Sequence, residues 1–411
     1  TRMVQDEVRI TPAGEWLLDN YYLIEEQVRT ARRHLPRDYS RELPSLSNGP
    51  SAGFPRVYDL AMEVIAHGDG RVDAETLERF VAAYQSVVPL KLGELWAIPI
   101  MLRLALIENL RRMAVRVMGD GVDHRLASEW AALLNDTADN DPKNLVLVVA
   151  DMARSEPPMT GAFVAELTRG MHGRSAVLAM PASWVEQWVA HGGHRIEELV
   201  HAESQQQASD QVSIGNSIGS LRFLSNLDWR EFVETMSLVE QTLREDPAGT
   251  YALMDFSTRD AYRHVVEKVA RLSGASEMEV AQCVLRLAQA QAISRNTRAH
   301  VGYYLVDDGI AETTAAAAGL ENARKVVRLR PRRIPLPAYL LPICLIAAGF
   351  TWALVAEASA DRFDWRWLCL IGALGVIAFS ELGIALINWL ATVLVPPQPL
   401  PRMEFSAGIP A

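Results

Sequence analysis

The apolar positions of this chain recur mostly every three or four residues, which is the spacing of an amphipathic α-helix. Near the start, Thr11 and Pro12 are suited to an N-cap and a first helical turn, and Pro36 is suited to the helix end. Between them lies one apolar seam, which is formed by Leu17, Tyr21, Ile24, Val28, Ala31 and Leu35. This stretch therefore predicts a single amphipathic helix that turns Tyr21 towards the core.

Helical signals of the same kind continue along the chain. Ser257 or Thr258 is suited to an N-cap, and Gly274 is placed to end the helix that follows. Ser276 opens a capping-box pattern with a glutamate three positions later. The segment nearest to a strand is LVLVVAD, residues 145–151, but its continuation into MARS favours a helix. The predicted fold is all-α, with many helices and no sheet.

Two long apolar runs end the chain, at residues 336–355 and 367–395, and a short charged connection joins them. Each run is long enough to cross a hydrocarbon core of about 30 Å as a helix. A basic cluster precedes the first run and consists of Arg324, Lys325, Arg328, Arg330, Arg332 and Arg333. Because positive charge is retained on the cytoplasmic side, the pattern predicts a transmembrane hairpin whose two ends lie inside and whose loop near Asp361 lies outside.

Two polar residues interrupt the second apolar run, Glu381 and Asn388. Intramembrane polar side chains either hold helices together or line a path for an ion or a substrate. We favour helix packing for both. The predicted domains are a cytoplasmic helical domain at 1–333, the hairpin at 334–395 and a cytoplasmic linker at 396–411.

The overall charge limits the possible partners. The 411 residues carry a formal net charge of −10. Nucleic acid is therefore excluded as the main partner, because phosphate contacts require clustered basic residues. The three cysteines, Cys283, Cys344 and Cys369, lie far apart and form neither a disulfide framework nor a zinc motif. This usage suits a reducing compartment.

Several short motifs contain the residues of a metal or catalytic site without its full pattern. Asp139-Asn140-Asp141 has the D-x-D pattern of sugar-nucleotide transferases, but it precedes an apolar run and favours a turn before the next helix. Glu198 and His201 have the spacing of a di-iron half-motif, and no second half-motif follows. We therefore predict no catalytic, cofactor-binding or metal-binding residue in this chain.

Three further residues have structural interpretations. Asp73, in the sequence Asp-Gly-Arg-Val-Asp, departs from a calcium loop and is suited to an N-cap. Gly215 and Gly219 lie four positions apart, which favours close packing of two helices.

Long phrases of the sequence carry a resemblance that is more specific than any short motif. They include EWLLDNYYLIEEQVRTARRHLPRDYSRELPSL, GELWAIPIMLRLALIENLRR and LINWLATVLVPPQPLPRMEFSAGIP. Together they resemble the N-terminal part of the cyclic β-1,2-glucan synthases, which are large bacterial inner-membrane proteins. The resemblance extends from about Gly14 to the last residue.

The resemblance implies an activity for the whole enzyme. Such synthases use UDP-glucose and a divalent cation such as Mg²⁺ to build β-1,2-linked glucan on the enzyme, and then cyclise it for the periplasm. Their glycosyltransferase domain follows the segment seen here, so its D-x-D-type metal site and its base are expected beyond Ala411. No catalytic residue of the family is carried onto this chain. The resemblance also implies a bacterial inner-membrane location and the lipid bilayer as a partner.

Three hypotheses follow for the chain itself. In the first, it is a non-catalytic helical domain that supports or regulates the adjoining transferase domain. In the second, it handles nascent β-1,2-glucan or accepts it on exposed tyrosines, for which the candidates are Tyr21, Tyr22, Tyr39, Tyr303 and Tyr304. In the third, it is a separate membrane-anchored scaffold or sensor. The candidate contact residues for the transferase domain or the glucan are Trp16, Tyr22, Asp38, Tyr39 and Arg41.

Overall fold

A computed structural model describes residues 11–35, 42–172, 177–292, 297–320, 336–360, 364–394, 400–405 and 408. Within these ranges there are 17 α-helices and no strand, which confirms the all-α prediction. The first ten helices are α1 (Pro12–Asp19), α2 (Tyr21–His34), α3 (Arg56–His67), α4 (Ala74–Gln85), α5 (Leu92–Asn140), α6 (Leu145–Ser155), α7 (Gly161–Met171), α8 (Ala179–His191), α9 (Ile196–Asn226) and α10 (Trp229–Met236). The others are α11 (Leu238–Leu243), α12 (Phe256–Ser273), α13 (Glu277–Ala290), α14 (Val301–Val306), α15 (Ile310–Leu320), α16 (Leu336–Ala360) and α17 (Trp365–Leu394). LVLVVAD lies in α6, as predicted.

The chain divides into two compact units, Thr1–Leu238 and Val239–Ala411. In the first unit, the 49-residue helix α5 contributes to two separate cores. Its first half buries Leu95, Ile98 and Leu102 in a core shared with α3, α4 and the second half of α9. Its second half buries Leu134 in another core, shared with α6, α7 and α8. The predicted domain boundaries at residues 333 and 395 stay predictions.

The opening helix differs from its prediction in two ways. It is broken at Asn20, whose side chain donates to the carbonyl of Trp16, so α1 and α2 replace one continuous helix. The seam is also rotated, because Tyr21 is 62% exposed while Gln27 is buried. Gln27 accepts a hydrogen bond from Arg103 Nε at 3.0 Å, and its amide donates to Ser225 Oγ at 3.4 Å. Burial of these polar contacts turns the helix away from the face that the apolar spacing predicts, so Tyr21 as a core position is wrong.

Serines, not glycines, allow α9 to pack closely in the first unit. Ser213, Ser217 and Ser220 are all buried. A Cβ atom on Gly70 would lie 2.4 Å from Ser217 Oγ, so the turn after α3 approaches α9 too closely for any side chain. No atom lies within 4 Å of the corresponding positions at Gly215 and Gly219. The prediction that these two glycines mediate helix packing is therefore wrong.

One half-buried carboxylate of the first unit has a perturbed pKa. Burial and the nearby carboxylates of Glu203, Asp210 and Asp123 raise the pKa of Asp120 to about 6. In the unfolded chain that carboxyl titrates near 3.8. Its contribution to stability is therefore fully present below about pH 4 and is lost as the pH rises through about 6.

We expect Asp120→Asn to raise the stability of the first unit by about 1 kcal/mol at pH 7.5, an effect reduced by solvent screening. At pH 2.5 the variant and the parent should unfold alike, because Asp120 is then protonated in both the folded and the unfolded state. Urea midpoints at the two pH values measure the difference. The control is Asp19→Asn on the exposed face of α1. An equal gain at both pH values would contradict the expectation.

The second unit confirms two of the helix boundaries and corrects a third. Gly274 ends α12 with φ +82°, and Ser276 caps α13 through a capping box. The N-cap of α12 is Asp255, whose carboxylate accepts from the backbone N–H of Thr258 at 2.9 Å. Ser257 and Thr258 therefore lie inside the helix. In the first unit Asp73 caps α4, as predicted.

The last two helices form a helical hairpin whose surface is mostly apolar. Helices α16 and α17 have mean hydropathies of 2.0 and 2.2 and are long and apolar enough to cross a membrane. Gly383 lets α17 approach the backbone of Ile343, because a Cβ there would lie 3.2 Å from its carbonyl oxygen. Phe350 and Phe379 stack across the pair with ring centroids 5.3 Å apart.

Candidate functional site

The chain after the hairpin pairs with the helical part of the second unit. Residues 400–405, which we call the return segment, run antiparallel to the turn before α12. The N–H of Asp255 donates to the carbonyl of Arg402 at 2.9 Å, and the N–H of Glu404 donates to the carbonyl of Leu253 at 2.8 Å. The turn before α12 and the backbone that leaves the hairpin are therefore joined by main-chain hydrogen bonds.

Helix α12 contributes a third hydrogen bond to this pairing. Thr258 Oγ1 accepts from the N–H of Arg402 at 3.0 Å. The same residue supplies the N–H that Asp255 caps, so the start of α12 and the return segment share one network. Met254 is buried opposite Met403 in the antiparallel bridge. The turn thus presents two backbone groups, one hydroxyl and one apolar side chain to the return segment.

A buried carboxylate lies behind this turn. Glu240, on α11, has no exposed side-chain surface. It accepts from the Tyr251 hydroxyl at 2.6 Å, from Arg263 Nη1 at 2.6 Å and from Arg244 Nε at 2.8 Å. A further arginine, Arg259, lies 3.5 Å from the same carboxylate. We call these five residues the Glu240 network.

The Glu240 network connects directly to the turn that holds the return segment. Arg259 donates through Nη1 to the carbonyl of Met254. Arg263 also contacts Asp260 at 3.0 Å, and its guanidinium lies 5.2 Å from the centre of the Phe256 ring. Burial alone lowers the pKa of Arg263, but the charge of Glu240 leaves it above its ordinary value. The arginines therefore stay charged and hold the turn from its buried side.

The same network accounts for the protonation of Tyr251. Burial and the neighbouring charge of Glu240 raise the pKa of the Tyr251 hydroxyl far above its ordinary value. The hydroxyl therefore stays protonated and donates to Glu240. Because Glu240 already accepts from a tyrosine and two arginines, it is not available as a general base. The arrangement holds the backbone of the turn in place.

A second buried carboxylate fixes the other end of the turn. Asp246 accepts from the N–H groups of Thr250, Tyr251 and Val301, and from His300 Nδ1 at 2.7 Å. Burial by itself raises the pKa of Asp246, but the hydrogen bonds from His300 and Val301 bring it below its ordinary value. Asp246 thus ties the turn to the start of α14.

The environment of His300 limits what this pair can do chemically. Its Nε2 atom is buried without a hydrogen-bond partner among the described residues. A Cβ on Gly302 would lie 2.4 Å from that nitrogen and 2.6 Å from the Tyr262 hydroxyl, so only glycine fits. Burial and the charges of Asp246 and Asp307 raise the pKa of Tyr262 to about 12. Nε2 is thus packed against backbone, which suits a structural role.

The structure describes two of the five candidate contact residues of the sequence. Trp16 is 43% exposed on α1 and Tyr22 is 64% exposed on α2. Asp38, Tyr39 and Arg41 lie outside the described residues. The contact roles of all five stay predictions.

The tyrosines of the glucan-handling hypothesis are placed unequally. Tyr21 and Tyr22 are exposed neighbours at the start of α2, whereas Tyr304 is 2% exposed. Tyr304 packs into the core of the second unit beside Val301 and Leu305. Its prediction as an exposed tyrosine is therefore wrong. Tyr303 is partly buried, and the Arg298 guanidinium lies 5.3 Å from its ring centre.

The two polar residues of the hairpin have different surroundings. Asn388 Oδ1 accepts from the Tyr339 hydroxyl at 2.8 Å, which links α17 to α16. Glu381 lies on the exposed side of α17. The packing role predicted for this pair stays a prediction.

The residues that the sequence reasoning missed are the buried charges of the second unit. Glu240 and Arg244 are four positions apart and Asp260 and Arg263 are three apart, which are also the spacings of ordinary surface ion pairs. Asp246 and His300 are 54 positions apart, so no local pattern connects them. Tyr251 contacts both Glu240 and Asp246, and it is the one residue whose aromatic ring could have suggested that these carboxylates lie in the core of the second unit.

The resemblance to the glucan synthases is confirmed by comparison with known proteins. The chain is 32% identical over 99% of its length to a protein of Rhizobium meliloti (strain 1021), the cyclic β-(1,2)-glucan synthase NdvB. The chain spans 14% of the length of that relative. A match of this extent is consistent with an N-terminal part of such a synthase. No family model matches the chain.

Proposed function

We propose that this chain is the N-terminal helical and membrane-anchoring part of a bacterial inner-membrane synthase that makes cyclic β-1,2-glucan from UDP-glucose. The observation that carries the proposal is the similarity to NdvB, which extends over 99% of the chain. The apolar hairpin supports the membrane-anchoring part of the proposal. In this role the chain is non-catalytic and supports the transferase domain of the same polypeptide.

The return segment supports a hairpin with both ends on one side of the membrane. Helices of about 38 Å and 45 Å, from a rise of about 1.5 Å per residue, exceed a hydrocarbon core of about 30 Å. The segment that leaves the hairpin is bonded to the turn before α12, which precedes the hairpin in sequence. The basic cluster at 324–333 assigns that side to the cytoplasm by the positive-inside rule. The resemblance to the glucan synthases implies that UDP-glucose is used on that side.

The proposed supporting role consists of holding the chain where it leaves the membrane. The Glu240 network and Asp246 fix the turn, and the turn fixes the return segment. A transferase domain that follows the return segment would therefore start from a defined position. Among the described residues, no group of three or more His, Cys, Asp or Glu side chains could hold a metal ion. These residues thus do not fit the divalent cation implied for the whole enzyme, and no chemical step is assigned to them.

The test uses the longer polypeptide in inner-membrane vesicles with UDP-glucose. Glu404→Pro removes the N–H that donates to Leu253, whereas Glu404→Ala removes only the side chain. We expect the proline variant to make cyclic glucan at less than about a tenth of the parental rate, since a misplacement of about 1 Å caused by a distant mutation can cost about 100-fold. The alanine variant should stay near the parental rate. Equal rates for the two variants would contradict the supporting role.

The reading frame distinguishes this proposal from a separate anchored scaffold or sensor. We expect a long open frame that continues after Ala411 into a transferase domain. A stop codon soon after that position would favour the scaffold. The 411-residue chain by itself should release no UDP from UDP-glucose, and turnover by the purified chain would contradict the non-catalytic assignment.

A glucan acceptor role is a second candidate, favoured by the exposed pair Tyr21 and Tyr22. Their hydroxyl groups are placed at the surface of α2, where a growing chain could be attached. Intact-mass analysis of the protein after incubation with UDP-glucose tests this. Mass additions of whole hexose units that map to α2 would support the acceptor role over the supporting role.

A further inference from the structure

A polar cleft in the first unit has no part in the assignments above. It lies between α5 and α9, beside the turn after α3, and has a volume of about 290 Å³. Its polar lining includes Asn109, Arg112, Arg116, Gln206, Asp210 and Ser213. Three of these side chains are almost fully buried, since Asn109 is 7%, Asp210 is 3% and Ser213 is 3% exposed. Its volume is just below the range for small-molecule sites, which is about 300–1,000 Å³.

The buried part of the lining is held in place by its own hydrogen bonds. Asn109 Nδ2 donates to Ser213 Oγ at 3.2 Å and to Ser217 Oγ at 3.0 Å. Arg116 and Gln206 both donate to one oxygen of Asp210, Oδ1, at 2.7 Å and 2.8 Å. These contacts fix the side chains before any ligand arrives, which lowers the entropy cost of binding.

Several polar atoms of the cleft are left over by this arrangement. The second oxygen of Asp210, Oδ2, accepts no hydrogen bond within the described part of the chain, although the residue is 3% exposed. Gln206 keeps its carbonyl oxygen as a further acceptor. Arg112 makes only one long bond, to Asn109 Oδ1 at 3.4 Å, among the described residues. The cleft therefore offers both acceptors and donors to a ligand.

The charge of the lining indicates the chemistry of that ligand. Two arginines, Arg112 and Arg116, are balanced by two carboxylates, Asp69 and Asp210. A phosphate would meet these carboxylates, and a cation would meet the arginines. A hydroxyl group both donates and accepts, so a ligand rich in hydroxyl groups matches such a lining.

We infer that this cleft binds a neutral saccharide, and that a short stretch of β-1,2-glucan is its occupant. That the ligand is a saccharide is inferred from the polar lining of the cleft. That the saccharide is β-1,2-glucan rests on the proposed function. Asp210 Oδ2 and Gln206 Oε1 accept from the sugar hydroxyls, and Arg112 donates to them. This site uses none of the tyrosines considered above and lies within the first unit.

The inference is tested by calorimetric titration of the full chain in lipid nanodiscs with a β-1,2-linked glucotriose. Arg112→Gln is expected to weaken binding about tenfold, as for loss of a hydrogen bond from a charged group. The matched control is Arg111→Gln, because Arg111 is the neighbouring arginine and pairs with Glu108 outside the cleft. The control should bind like the parent. Equal affinities of the two variants would overturn the inference.

A second variant closes the cleft without touching its buried hydrogen bonds. Ser209 lines the cleft and is exposed, so Ser209→Trp is expected to abolish binding without changing the melting temperature. Gln205→Trp, on the exposed surface of the same helix, is its control. Retained binding in Ser209→Trp, or displacement of the trisaccharide by inorganic phosphate, would overturn the inference.

Failure of the inference is distinguishable from failure of the proposed function. Cyclic glucan synthesis by the longer polypeptide is measured beside the titration. Synthesis without trisaccharide binding would overturn the saccharide cleft alone. Absence of synthesis would overturn the proposed function, on which only the identity of the sugar depends.

Discussion

Replacement of Glu240 by glutamine is expected to lower the free energy of unfolding of the second unit by about 3–5 kcal/mol. The carboxylate and the side chain of Arg263 are both fully buried. Glutamine keeps the shape of Glu240 but leaves the positive charges of Arg263 and its neighbours without their shared counter-charge. A buried charge without compensation is far more costly than a lost surface pair.

Urea unfolding followed by circular dichroism measures this loss. The control is Glu25→Gln, since Glu25 pairs with Arg29 on an exposed helix face. It should change the stability by less than about 1 kcal/mol. Amide exchange should also become faster at Asp255 and Glu404, because the network holds their turn. A loss no larger than that of the control would show that the network is not what stabilises the unit.

Replacement of Asp246 by alanine is expected to cost about 3 kcal/mol at pH 7, since it leaves two buried N–H groups, one half-buried N–H group and the His300 ring without their acceptor. The effect should depend on pH. The folded pKa of Asp246 lies below its ordinary value, so its stabilisation is present above about pH 4 and is lost as the pH falls through the folded pKa.

Melting temperatures of the parent and of Asp246→Ala at a series of pH values test both the size of the loss of stability and its dependence on pH. The difference should be largest at neutral pH and should shrink in acid. Asp308→Ala, on the exposed surface of the same unit, serves as the control and should stay within about 0.5 kcal/mol of the parent. A difference that stays constant down to pH 2 would contradict the assignment of the effect to the carboxylate.

The helical class, the helix at 145–151 and the end of α12 at Gly274 were predictable, because each depends on residues close together in sequence. The apolar hairpin was predictable for the same reason. The N-cap residue of a helix was not predictable where several suitable residues lie close together in sequence, as do Asp255, Ser257 and Thr258. There the choice depends on which side chain reaches the free N–H group, and spacing does not decide it.

The face of α2 and the candidate site could not be predicted from local patterns. The spacing of apolar residues alone predicts Tyr21 at the core, whereas buried Gln27 turns the helix towards Arg103, 76 positions away. The pairing of Glu240 with Arg263 crosses 23 positions and depends on burial, which the sequence does not display. The return segment pairs with a turn 144 positions before it, as measured from Thr258 to Arg402.

After the hairpin, the return segment brings the chain back to the turn before α12, and this pairing is the basis of the proposed supporting role. Cysteine cross-linking tests it most directly, in native membranes, with Cys283, Cys344 and Cys369 first replaced by alanine. Met254 and Met403 oppose each other in a non-hydrogen-bonded antiparallel pair, whose Cα atoms lie about 4.5 Å apart. That spacing falls in the disulfide range of about 4.4–6.8 Å.

We predict that M254C/M403C forms an intramolecular disulfide under mild oxidation, as detected by mass spectrometry of the linked peptides. The control pair L253C/M403C should link poorly, because successive side chains of an extended segment point to opposite faces. Linkage of M254C/M403C no greater than that of the control would show that the return segment is not held at this turn, and would contradict the account.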